Sequence, residues 1–104
     1  MSTEVVAPEL IESWPSLEPE ERILVFRALP RDEREDLFLD LRTEYQAELV
    51  LAMPEHERRT YMRVLPPDDA ADVIQNSPED QRAGLLALFA EVPRREINAL
   101  LAYA

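Results

Sequence analysis

The sequence has no cysteine and no lysine, only one histidine and only one glycine. Without cysteine there is no disulfide, no thiolate metal site and no cysteine nucleophile. A single imidazole, His56, cannot build a multi-histidine zinc site. One glycine against nine prolines is wrong for a glycine-turned β protein and suits helices punctuated by proline. The longest strongly apolar run, GLLALFA, is too short to cross a bilayer. The opening MSTEVVAPELIES lacks the basic start and long apolar core of a secretory signal. No nucleophile–base pair, glycine-rich phosphate loop or HExxH spacing occurs, so no enzymatic activity is expected.

What is present is acid. Twenty-two Asp and Glu face eleven Arg, a net charge of −11 over 104 residues. A polyanion repels phosphate backbones and anionic lipid, so neither nucleic acid nor direct membrane insertion is expected. Cations and basic protein surfaces remain as partners. Apolar residues are 46 % of the chain, enough to argue for a packed core rather than disorder.

The chain repeats every twelve residues. Pro30, Pro54, Pro66 and Pro78 share one register, and Arg42 fills the missing slot. Eight positions beyond the slots stand Phe26, Phe38, Val50, Met62, Ile74 and Leu86. Seven beyond stand Val25, Leu37, Leu49, Tyr61, Val73 and Leu85. One continuous helix cannot carry this period, because twelve residues at about 100° each return about 120° out of phase. Proline every twelve residues would break it as well. Each unit reads instead as a short helix and a tight turn. Within units the apolar spacing is helical, as in Leu37, Phe38 and Leu41.

The pattern predicts an all-α fold of eight short helices, at 7–14, 18–29, 32–41, 44–52, 55–64, 67–76, 78–90 and 93–102, within a single domain over 1–104. Residues 1–6 are expected to be disordered. Helices this short are unstable alone and must bury their stripes on neighbours. Stacked helical hairpins in a right- or left-handed superhelix satisfy that need, with an irregular bundle as the alternative. Ser77-Pro78-Glu79-Asp80 reads as a helix start with Ser77 at the N-cap, and Thr43 to Gln46 as a capping box. The Arg-rich pairs in HERR and PRR read as salt-bridged exposed faces, and Trp14 and Tyr45 as packing residues.

The stretch LPPDDAADVIQ, residues 65–75, concentrates three aspartates at a helix start. Asp68 and Asp72 are i, i+4 and share a face, while Asp69 is turned about 100° away. Asp36 holds the slot of Asp72 three units earlier, beside the core pair Leu37–Phe38. Glu33 and Glu35 are expected to look outward. Acids in a first turn favour the helix dipole for structural reasons alone. The same acids suit a hard cation: Mg²⁺ takes oxygen ligands and uses one or two carboxylates per site. Two carboxylates about 4 Å apart repel by roughly 4 kcal/mol at an effective dielectric near 20, and an ion between them relieves this. Helix capping and a cation site both remain open at this point.

RALPRDEREDLFLDL, LAMPEHERRTYMRVLPPDDAAD and LPPDDAADVIQ together resemble the N-terminal cytosolic domain of MgtE-type magnesium transporters, over roughly residues 7–103. The resemblance implies a superhelix of short helices. It also implies a magnesium-sensing lobe that acts with paired CBS domains of the same parent chain to gate a pore, on the cytoplasmic face of the membrane. Bound Mg²⁺, weak and shared with another domain, would screen acids between the lobes. The matching metal positions are Asp68 and Asp72 from the DDxAD signature, and Asp36, where the family carries the longer Glu. A homodimeric parent with a monomeric fragment is implied too. No CBS or transmembrane sequence is present, so the chain is expected to be an excised domain or a soluble relative. The helical region of the flagellar motor protein FliG has a related architecture, and would make the chain an interaction scaffold without an ion role.

Overall fold

A computed structural model describes residues 6–103. Among these the fold is all-α: α1 Val6–Ser13, α2 Pro19–Ala28, α3 Arg31–Asp40, α4 Thr43–Leu51, α5 Glu55–Arg63, α6 Pro67–Gln75, α7 Glu79–Leu86 and α8 Glu91–Ala102. A 3₁₀ turn, Trp14–Ser16, follows α1. All eight expected helices occur. The disorder expected for 1–6 falls outside the described residues, except that Val6 opens α1.

The twelve-residue slot is the N-cap. Glu18, Pro30, Pro54, Pro66, Pro78 and Ala90 each precede a helix, with φ between −55 and −75 and ψ between 145 and 168. Proline suits this position because its fixed φ matches, and because it forces the residue before it out of helical geometry. It therefore stops one helix while starting the next. This corrects two expectations. Pro78, not Ser77, is the N-cap of α7. Ser77 is buried and its hydroxyl donates back to the Val73 carbonyl at 2.9 Å, closing α6. Helix α4 begins at Thr43 itself, so Thr43 is its first residue rather than its cap.

Two other boundaries moved by more than one residue. The helix expected over 78–90 ends at Leu86, because Leu88 and Phe89 donate to Leu85 and Leu86 in tightened i→i+3 turns. Helix α8 starts at Glu91, two residues early. Pro93 stands in its first turn, where its missing N–H has no helical partner to lose.

The core follows the two columns. Phe26, Phe38, Val50, Met62 and Ile74 are buried, as are Leu37, Leu49, Tyr61, Val73 and Leu85. Leu86, the last residue of α7, is half-buried, and so is Val25. The described residues form two compact units divided between Arg42 and Thr43. In the first, α1 packs on α3 and on the 3₁₀ turn, and Trp14 is fully buried. In the second, α6 is central: it packs on α8, α4 and α7, while α5 packs on α4. The small buried side chains of Ala70 and Ala71 let neighbouring helices approach α6 closely.

A third column, of arginines, stands four positions beyond the slot. The last carbonyls of every helix lack intrahelical partners. Arg34, Arg58 and Arg82 each donate through Nε to the carbonyl five residues back, at Leu29, Met53 and Ser77, over 2.9 to 3.0 Å. Arg58 and Arg82 also donate through a terminal nitrogen to Leu51 and Gln75. Arg22 does the same for the 3₁₀ turn, at Trp14 and Pro15. Arg58 is thus a clamp on the preceding helix end rather than a salt-bridged surface residue. The expected surface pairing holds for its neighbour Arg59, 4.0 Å from Glu55, and for Arg95, 2.9 Å from Glu91.

A measurable difference follows. Lysine has no planar fork to reach two carbonyls at once. Arg58→Lys is expected to lower unfolding free energy by about 1–2 kcal/mol, since it weakens two charge-assisted hydrogen bonds. Arg59→Lys should change it by less than about 0.5 kcal/mol. Urea denaturation of both variants distinguishes them, and equal effects would remove the clamp's special role.

Candidate functional site

The opening of α6 is built in layers. Pro66 caps it, Pro67 takes the first helical position, and the Ala70 N–H makes the first helical bond to the Pro66 carbonyl at 2.9 Å. Ala70, Ala71, Val73 and Ile74 face inward and are buried. That phase leaves Asp68, Asp69 and Asp72 exposed. Asp68 and Asp72 lie one turn apart, with Cβ atoms about 6 Å from each other for such a pair. Neither carboxylate has an ion pair or a hydrogen bond among the described residues. The Asp72 backbone carbonyl accepts from the N–H and the side-chain amide of Asn76, both at 3.0 Å.

Asp36 occupies the corresponding place on α3. It is exposed immediately before the buried pair Leu37 and Phe38. Its carboxylate is likewise without a partner among the described residues. Glu35 is exposed as expected, whereas Glu33 is half-buried rather than fully outward. Asp36 belongs to the first compact unit, and Asp68 and Asp72 to the second.

The donor set is hard oxygen only, as Mg²⁺ requires, but it is short. No group of three or more His, Asp or Glu side chains that could hold a metal ion occurs among the described residues. The i, i+4 pair of Asp68 and Asp72 fits the one or two carboxylates that Mg²⁺ takes from a protein, with water or another chain supplying the rest. His56 is exposed in the first turn of α5, apart from these acids in sequence and with its backbone carbonyl accepting from Thr60.

One feature went unread in the sequence. A groove of ≈ 430 Å³ opens in the second unit between the end of α5, the start of α6 and the first half of α8. Its walls are mainly apolar, with Arg63 and Glu96 as its charged residues. Arg63 is fixed there by an Nε–H donated to the Leu88 carbonyl at 3.1 Å, a contact across 25 residues of sequence. No local signal announces such a contact.

No described helix is long and apolar enough to cross a membrane. A comparison with curated proteins finds no match. The family comparison is decisive: residues 7–104 match the model of the MgtE intracellular N domain, nearly the whole chain. The chain therefore belongs to the MgtE intracellular N domain family, the helical domain of MgtE-type magnesium transporters.

Proposed function

We propose that this chain is a regulatory magnesium-sensing lobe that acts with CBS domains of the same parent chain to gate ion transport at the cytoplasmic face of the membrane. The observation that carries the reading is the paired exposure of Asp68 and Asp72 on one face of α6, with no cationic group among the described residues engaging them. Asp36 repeats the arrangement on α3. In a chain that holds eleven arginines, leaving these carboxylates unpaired preserves charge for an external partner. Mg²⁺ is that partner, with Asp36, Asp68 and Asp72 supplying one side of each site. Acids of the CBS lobe and water supply the other. The role follows from electrostatics: acids on two lobes repel until the ion lies between them, so Mg²⁺ favours the closed arrangement. A ligand moves such an equilibrium only by its differential affinity for the two arrangements.

Half-sites bind weakly. Titration calorimetry on the 104-residue chain at physiological ionic strength should show Mg²⁺ association only in the millimolar range or weaker. The signal should fall steeply as NaCl is raised, because much of it is screening. Tight stoichiometric binding to the chain alone would show a complete site and remove the need for a second lobe.

A further inference from the structure

The first compact unit, Met1–Arg42, is built on little core. Of the twenty buried apolar side chains among the described residues, five stand in it and fifteen in the second unit. Those five, Trp14, Phe26, Leu37, Phe38 and Leu41, must hold three helices and a 3₁₀ turn. In α1 none of residues 8–13 is fully buried. In α2 the apolar run Ile23, Leu24, Val25, Phe26 buries only Phe26, and Leu24 is 69 % exposed. Below about 40 residues a unit generally needs a disulfide, a metal or a partner to stay folded, and this one stands close to that size. With no cysteine in the chain, a disulfide is not available to it.

One group in this unit opposes its folding. Trp14 is fully buried, yet its indole N–H has no acceptor among the described residues. A buried donor without a partner carries its whole desolvation cost, which water relieves when the unit opens. The junction adds freedom. From 30 to 78 the twelve-residue slot holds proline at 30, 54, 66 and 78 but arginine at 42, the last residue of the unit. Arg42 keeps the backbone freedom that proline removes at the other four junctions.

We infer that the first unit is a separate folding element, which opens cooperatively while the second unit stays folded, and whose folded fraction is set by what binds it. Local opening of this kind falls on the elements with the fewest buried apolar contacts. The regulatory consequence is a linkage. Asp36 is exposed on α3, within this unit. A partner that engages Asp36 only in the folded unit raises the folded fraction by binding, and its own apparent affinity is reduced by the fraction that is open. That this partner is Mg²⁺ with a second lobe rests on the proposed function; the opening itself does not.

The test is urea unfolding of the 104-residue chain in magnesium-free buffer, so a failure here leaves the magnesium reading standing. Trp14 is the only tryptophan, and its emission reports the first unit. Hydrogen exchange read by mass spectrometry separates peptides of 6–42 from peptides of 43–103. In the wild type, Trp14 emission should shift to the red at lower urea than the loss of protection in α4 and α6. Without urea, the amides of α2 and α3 should exchange at least about tenfold faster than those of α4 and α6. Leu37, fully buried in the first unit, supplies the variant. Leu37→Ala should speed exchange in 6–42 by about thirtyfold or more and leave 43–103 within about twofold. If the variant's first unit is open even without urea, Trp14 emission is red-shifted from the start while α4 and α6 stay protected, which is the same result in stronger form. Transitions that coincide in the wild type, or a second unit that is lost first, overturn the inference. So does a Leu37→Ala variant that speeds exchange equally in both halves.

Discussion

Changing Asp68 and Asp72 together to asparagine should flatten the Mg²⁺ dependence of lobe closure in a parent transporter that carries the CBS domains. Under the proposed mechanism the acids do two things: they hold the lobes apart when Mg²⁺ is scarce, and they supply the ion's preference for the closed arrangement. Asparagine removes both. Protection of the linker after Ala104 from protease should rise with Mg²⁺ in the wild type. In the double variant it should start higher and change little, with any remaining midpoint displaced by about tenfold or more, the ordinary size of a coupling of about 1–3 kcal/mol. The fold should survive, because both side chains are exposed and make no bond among the described residues. Loss of two favourable charges from the first turns of α6 costs about 1 kcal/mol at most, partly offset by reduced self-repulsion in a chain at −11. Circular dichroism on the variant checks this. Protection curves identical to the wild type would assign the aspartates to helix capping alone and place magnesium sensing elsewhere.

The largest stability effect is expected at the centre of the column. Met62 on α5 and Ile74 on α6 are both fully buried. Truncation to alanine removes transfer energy and leaves a cavity that packed helices close only in part, so Met62→Ala and Ile74→Ala should each cost about 2–5 kcal/mol. Leu86→Ala, at a half-buried position on the same register, should cost less than either. Nine-residue helices supply little stability of their own, which makes such losses severe for a small unit. Urea unfolding followed at 222 nm measures all three. Comparable losses at Leu86 and Met62 would mean that the register does not grade burial.

The repeat was legible because its causes are local. Proline acts on its own φ and on the residue before it, so helix starts at Pro30, Pro54, Pro66 and Pro78 can be read one turn at a time. The apolar pairs seven and eight beyond each slot are fixed relative to that start, so their burial follows once the helices begin on time. The exposure of Asp68 and Asp72 follows from the same phase, since Ala70, Ala71, Val73 and Ile74 take the inward positions.

Other features depend on chain segments that the sequence does not align. The arginine column shares the proline register and could have been counted. Its purpose could not, because the same slot holds buried Gln46 and Ala70 on α4 and α6, two helices that pack on each other. Arg94 fills the last slot, is exposed and makes no such bond. In that turn Arg63 supplies the donor instead, to Leu88 from 25 residues away. Sequence by itself therefore determined, to within a residue, where the helices led by Pro30, Pro54, Pro66 and Pro78 start, and it placed most of their inward side chains and the exposed Asp36, Asp68 and Asp72, since one turn of backbone decides each of these. Tertiary structure alone decided which carbonyl each arginine meets, where α7 stops, and that α5, α6 and α8 leave a groove. Those outcomes depend on distances between helices, and interhelical distance is set by packing rather than by any residue's neighbours along the chain.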